Sequence, residues 1–318
     1  MARQWLRRAR LLAACASVLA IVACGGGGET ESKFDPSRIV AFGDAFADLG
    51  QNGARYTVND GSVNNWTQFV AREYDLPLAP TATGGQSYAI GNARAAASPD
   101  AAGNPATPTV QQQVTAFLAA STARSEDLVI VNAGHSDVIL QAQNVINGTL
   151  AASVAEENVG RAGRDLAAQV RRLVGAGAKH VVVVGPYNLG VSAWAEETKR
   201  QDLLEELSRT FNDELKVALV NFGSTVLYID AALHFNLVTS APSAYELDED
   251  IVPACTSVDP GPGIGTGVGE VNSNRCTPAT LRAGVDENRL LFADRVYMTP
   301  VGHRLLGEYA VERIRSRW

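Results

Sequence analysis

A chain of 318 residues that is 46% hydrophobic and 19% charged has the balance of a folded globule with ample core, not of a disordered or fibrous protein. Its 27 basic and 34 acidic residues give a net charge of −7, which argues against nucleic acid or anionic lipid as an electrostatic partner. The length admits one large α/β domain or two small ones.

The first segment reads as an export signal. Arg3, Arg7, Arg8 and Arg10 form a basic region, and an uncharged apolar run extends from Leu11 to Ala23. That run is shorter than the roughly 20 residues of a membrane span but suits a signal peptide over residues 1–23. It ends in Ile21-Val22-Ala23-Cys24, which resembles a bacterial lipobox. The resemblance implies that Cys24 is lipidated and becomes the first residue of the exported chain. Gly25 carries no aspartate-type retention signal, which implies the outer membrane, on a face the sequence does not specify. Leu12-Ala13-Ala14-Cys15 fits the same pattern, but cleavage there leaves almost no apolar stretch. An export signal without lipidation is the alternative. Residues 24–36, with Gly25 to Gly28, read as a flexible tether to a domain over residues 37–318. Removing the four arginines leaves 23 basic against 34 acidic residues, a net charge of −11.

In the domain, Ile39-Val40-Ala41-Phe42 is a short apolar run that ends in Gly43-Asp44, as a buried parallel strand entering a functional loop does. Val63, Trp66, Phe69, Val70 and Tyr74 recur at helical spacing behind Ser62, a fair N-cap. Ser87 to Ile90 reads as a second strand, Val110 to Leu118 as a helix, and Asp127 to Asn132 as a buried strand ending near Gly134. A helical region from about Leu150 carries Leu166, Val170, Leu173 and Val174 on one face and stops at Gly175 and Gly177. His180 to Val184 is the most hydrophobic strand, Glu196 to Phe222 a helix, and Ser224 to Asp230 another strand. The last helix begins at Thr299-Pro300. This alternation predicts one three-layer α/β/α domain with a parallel sheet of about five strands, flavodoxin-like, with its site at the carboxyl ends of the strands.

Cys255 and Cys276 flank a Gly/Pro/Ser/Asn-rich loop, and in an exported protein they are most simply a disulfide. The loop-entropy model assigns such a closure about 3 kcal/mol. Two cysteines without a neighbouring histidine do not make a metal site. The glycines from Gly261 to Gly269 follow no strand and open no helix, so no nucleotide cofactor is implied. The sequence is silent on oligomeric state.

From about Ile39 to Ile314 the chain resembles the GDSL, or SGNH, hydrolases, which cleave esters. Four blocks lie in the right order. The resemblance implies a serine nucleophile after Gly43-Asp44, a histidine base three residues after an aspartate, and an oxyanion hole of backbone and asparagine donors. Gly43-Asp44-Ala45 has alanine at the nucleophile position, and a methyl group cannot attack a carbonyl. Tyr88-Ala89-Ile90-Gly91-Asn92 resembles the Gly-Gly form of the second block, so Gly91 is expected to present its amide. Gly134-His135-Ser136-Asp137 has Ser136 where the asparagine donor belongs. Losing one such donor costs about 3–4 kcal/mol of transition-state stabilisation in a serine protease. Asp294-Arg295-Val296-Tyr297-Met298-Thr299-Pro300-Val301-Gly302-His303 aligns without gaps on the last block. The base therefore falls on Tyr297, a poor base at neutral pH, and His303 takes the second, structural histidine's place.

A single engineered knock-out would change Ala45 alone. Three matching losses imply a natural pseudoenzyme. Two other readings stand beside it. One is a hydrolase with rearranged chemistry through Ser136 and His135, with Asp44 and Asp137 nearby. The other is a binding protein whose cleft, lined by Asp44, Asn92, Asp137, Asp294, Ser136 and Tyr297, takes a carbohydrate or acyl ligand without turnover. A purely structural envelope role is the remaining possibility.

Overall fold

Apolar continuity decides the centre of the molecule. In the computed structural model, which describes residues 34–318, the run after Arg38 forms strand β1, Arg38–Gly43. It pairs in parallel with β2, Asp127–Asn132, which pairs with β3, His180–Val184, and β3 pairs with β4, Val226–Tyr228. Every residue of β2 is buried, as a strand covered on both faces must be. The signal, Cys24 and most of the tether lie outside the described residues.

Eight helices of more than one turn are described. These are α1, Trp66–Glu73; α2, Val110–Ala120; α3, His135–Ile146; α4, Ala152–Gly175; α5, Ala193–Thr198; α6, Gln201–Leu219; α7, Ala231–Ser240; and α8, Pro300–Arg317. Helix α8 packs against α1 and α7, while α2, α3, α4 and α6 pack among themselves. These two groups are the outer layers of an α/β/α sandwich. Leu166, Val170 and Leu173 of α4 and Leu204, Leu207, Phe211 and Leu215 of α6 are all fully buried, so the helical periodicity in the sequence marks the core face correctly. Among the described residues, no helix is long and apolar enough to cross a membrane.

The sheet has four regular strands, not five. The segment expected as the fifth, Ser87 to Ile90, does lie beside β1. Ala41 N–H donates to Gln86 O at 3.1 Å, and Tyr88 N–H donates to Ala41 O at 2.7 Å. The contact reaches the end of β1, where Ile90 N–H donates to Gly43 O at 3.2 Å, but it stays irregular because a side chain shares that end. Gly43 N–H donates to Gln113 Oε1 at 2.9 Å, and Gln113 Nε2 donates back to Gly43 O at 2.9 Å. With that segment counted, the spatial order is second, first, third, fourth, fifth. The winding therefore reverses between β1 and β2, where Gly43 faces Asn132.

Three further boundaries differ from the sequence reading. Helix α1 starts at Asn65, whose Oδ1 accepts Thr67 N–H at 2.9 Å, because Ser62 is engaged in a turn on Asp60. The expected helix from Glu196 to Phe222 is broken where Lys199 adopts the left-handed conformation that ends α5. Helix α7 is absent from the sequence reading; Asp230 caps it by accepting Leu233 N–H at 2.9 Å. The Cys255–Cys276 disulfide is present, with a Cα–Cα distance of 5.9 Å. Its loop is pinned on the segment after β1. Asn59 N–H donates to Cys276 O at 2.9 Å and Asn274 Nδ2 to Ala54 O at 3.0 Å.

Candidate functional site

The reversal of winding brings the first and third sequence blocks together. Asp44 leaves β1 and is wholly buried. Its Oδ1 accepts Phe46 N–H at 3.0 Å, and its Oδ2 accepts Gly134 N–H at 3.0 Å and His135 N–H at 2.9 Å. Gly134 to Asp137, expected as a loop, is instead the first turn of α3, and a carboxylate is the natural partner for amides at a helix N-terminus. His135 Nδ1 lies 3.3 Å from Asp44 Oδ2, and its ring stacks on Phe46 at 4.6 Å between centroids. The Asp44 carboxylate thus ties the two loops together.

Ala45 is 1% exposed. Gly91 does not offer its amide as the family resemblance implies, because its N–H already donates to Asp48 Oδ2 at 2.8 Å. Asp48 Oδ1 also accepts Gly50 N–H and Gln51 N–H at 2.8 and 2.9 Å. Burial pushes the Asp48 carboxyl up to about 6, and these three amides only partly offset it. A Cβ at Gly91 would fall 2.0 Å from the Tyr56 hydroxyl, so Tyr56 packs flat against this glycine. Asn92 takes the second glycine's place with φ of +62°, a conformation asparagine tolerates better than most residues.

The last block is equally closed. Asp294 Oδ1 accepts Val296 N–H and Tyr297 N–H at 2.8 and 2.7 Å, and its Oδ2 accepts Ser273 N–H and the Ser273 hydroxyl at 2.9 and 2.5 Å. The carboxylate that would orient a catalytic imidazole instead holds a turn and the disulfide loop. Burial pushes the Tyr297 phenol well above 10, and the charges of Asp44 and Asp294 add to the effect. A proton so firmly held makes Tyr297 a worse base than its type alone implies. Its ring packs edge-on against Tyr56 at 5.3 Å. His303 is buried, packs 5.0 Å from Phe46, and is pushed by burial down to about 3. It is a neutral packing group, as expected.

No open polar cleft joins the residues assigned to it. Asn92 Nδ2 donates to Gly263 O at 3.0 Å. Asp137 accepts Arg94 Nε at 2.9 Å and Ala95 N–H at 2.8 Å and lines a different cavity, beside Gln141 and Asn158. Asp44, Ser136, Asp294 and Tyr297 are each at 0% exposure. Ser136 Oγ and Tyr297 OH face each other without reaching hydrogen-bonding geometry. His135 Nε2 and His303 Nε2 also lack a geometrically sound partner among the described residues. A core of purely structural origin rarely leaves four buried polar atoms so close together, since each costs about 1–3 kcal/mol. Such violations mark a former or present site.

The sequence reading misses Asp48, Tyr56, Gln113 and Ser273. Asp48 carries a usable signal, since an acid four residues after Asp44 in an apolar stretch must find donors. Tyr56 and Ser273 lie in aperiodic loops and carry none. Among the described residues, no group of three or more His, Cys, Asp or Glu is placed to hold a metal ion.

An uncharacterised protein of the trpE-trpG intergenic region of Pseudomonas putida is 24% identical over 98% of this chain and 54% of its own length. Esterase EstA of Pseudomonas aeruginosa is 27% identical over 44% of this chain and 20% of its own length. This chain therefore spans about half of the first relative and a fifth of the second. An extracellular lipase from Streptomyces rimosus superposes with a TM-score of 0.42 at 14% identity, covering 87% of this chain and 99% of that one. Residues 39–310 match the family model described as GDSL-like lipase/acylhydrolase, and over that span, most of its length, this chain belongs to that family.

Proposed function

We propose that this chain is a GDSL-family pseudoenzyme, a lipid-anchored envelope protein that keeps the esterase scaffold without serine-type ester hydrolysis. The observation that carries the reading is Ala45, buried where the nucleophile belongs. In the serine route a hydroxyl attacks the ester carbonyl, an imidazole takes its proton, and amide donors hold the oxyanion. Here a methyl replaces the hydroxyl, a phenol that holds its proton replaces the imidazole, and Asp48 occupies the Gly91 amide. Burial supports the same conclusion, since Ala45, Ser136 and Tyr297 present almost no surface to an ester.

The contact between His135 and Asp44 favours a second reading, a rearranged hydrolase in which His135 activates Ser136. Both residues are at 1% exposure or less, which weighs against it. Short-chain p-nitrophenyl esters decide. The unmodified protein and Ala45→Ser are both expected to be inactive, because the added hydroxyl finds neither a base nor an opening. Turnover in the unmodified protein that is lost on Ser136→Ala would establish the rearranged hydrolase. The triple variant Ala45→Ser, Ser136→Asn, Tyr297→His tests whether the scaffold can still be revived.

The anchor rests on Ile21-Val22-Ala23-Cys24. Cells expressing the full chain should incorporate a labelled fatty acid into it and lose that label with Cys24→Ser. Label retained in the variant would exclude this cysteine.

A further inference from the structure

At the carboxyl ends of β3 and β4, a cavity of about 230 Å³ opens between α6 and α7. It is separate from the closed family site. Tyr187 points into that core and donates its hydroxyl to Val296 O at 2.6 Å, whereas the next residue, Asn188, lines the cavity. The volume suits a ligand smaller than the drug-sized molecules that fill sites of about 300–1,000 Å³.

The lining discriminates by charge. Arg209 and Lys216 contribute two positive groups, and both already pair with Asp213, at 3.1 and 3.0 Å. Glu205 and Asp230 bring further carboxylates, and Asp230 spends Oδ1 on capping α7. A phosphate or carboxylate ligand would meet three acids here. A simple cation would meet Arg209 and Lys216. A neutral ligand whose groups both donate and accept suits the mixture.

A carboxamide pair supplies the matching chemistry. Asn188 Nδ2 donates to Asn236 Oδ1 at 3.0 Å, which fixes both planes and leaves the Asn236 amide group, on an exposed residue, available as a donor. Asn212 is spent on the wall, since its Nδ2 donates to Pro186 O at 2.8 Å and its buried Oδ1 lies against Gly185, where a Cβ would fall 1.9 Å from it. Apolar contact comes from the Tyr228 ring, over which Lys216 Nζ sits at 5.9 Å, and from Leu233, which is 53% exposed. Planar amides, carboxylates and an aromatic face together match the hydroxyls and C–H face of a sugar ring.

We propose that this cavity between α6 and α7 binds a single neutral sugar residue, independently of whether the family site retains any chemistry. The probes are the methyl glycosides of glucose, galactose, mannose and N-acetylglucosamine, with inorganic phosphate and putrescine as charged competitors. Saturation-transfer NMR on the full chain, at glycoside concentrations up to the tens of millimolar, should detect at least one glycoside. Ala232→Trp, which places an indole at the cavity wall, should abolish that transfer, and Asn236→Ala, at an exposed position, should weaken binding about 5-fold or more. Circular dichroism verifies that both variants fold, and Asn236→Ala carries the test if the tryptophan variant does not. No transfer from any glycoside, unchanged transfer in the folded variants, or displacement by phosphate or putrescine would overturn the proposal. Ester hydrolysis plays no part in the readout, so the result stands apart from the outcome of the p-nitrophenyl assay.

Discussion

Tyr297 and His303 show what single buried side chains cost the fold. The Tyr297 hydroxyl is buried beside Ser136 Oγ without proper hydrogen-bonding geometry. Removing such a group relieves desolvation at little loss, so Tyr297→Phe should stabilise the fold by about 1 kcal/mol. Urea unfolding at neutral pH measures this, and a destabilised variant would mean that the hydroxyl is properly bonded. His303 sets a pH dependence. Burial moves it from 6.5 down to about 3, so the unfolded chain takes up this proton first as pH falls. Stability is therefore lost between pH 6.5 and about 3. Asp48 acts in the opposite sense. Its carboxyl is raised from 3.8 to about 6, so the folded chain binds that proton first and gains stability as pH falls through this window. His303→Gln should flatten the acid side of the profile, leaving the contribution of His234, which burial pushes to about 4. Urea midpoints between pH 4 and 7 check the slope, and an unchanged slope would discount His303.

At the scale of elements, the loop between Cys255 and Cys276 acts as a strap. It sends Ser273 to Asp294 Oδ2, Asn274 to Ala54 O and the Gly263 carbonyl to Asn92. Replacing both cysteines by alanine should cost about 3 kcal/mol through the freedom returned to the unfolded chain. Urea unfolding of the double variant tests this, and a loss well below 1 kcal/mol would mean that the hydrogen bonds alone hold the loop. Elements differed in how legible they were. The central strands β1, β2 and β3 announce themselves because burial on both faces demands unbroken apolar runs. The segment from Ser87 to Ile90 is legible as extended chain beside the sheet, but not its irregular pairing, because Gln113 shares the Gly43 end with it. The replaced positions Ala45, Ser136 and Tyr297 can be read from gapless blocks. Closure of the site cannot, since it depends on Tyr56 and Ser273 meeting those blocks only after folding.

For the whole molecule, the sheet's point of reversal organises the structure whatever chemistry it carries. Asp44 and Asp48, two buried acids in one loop, take six backbone amides between them, and so bind the ends of β1, β2 and the Gly91 turn into one unit. Such a unit serves the fold whether or not the site turns over a substrate. On the proposed reading, this is why the scaffold can persist without a nucleophile. The paired hydrogen bonds between Gln113 and Gly43 have a consequence for how copies of this protein meet. A sheet margin with unpaired amides and carbonyls is a template onto which another molecule can add a strand. At the Gly43 end, the Ser87 to Ile90 segment lies along β1 with Ile90 N–H on Gly43 O at 3.2 Å, and a carboxamide from the protein's own helix α2 takes the Gly43 N–H and shares its carbonyl. A second copy arriving there finds no hydrogen bonds to make, and the margin resists the stacking through which exposed strands aggregate.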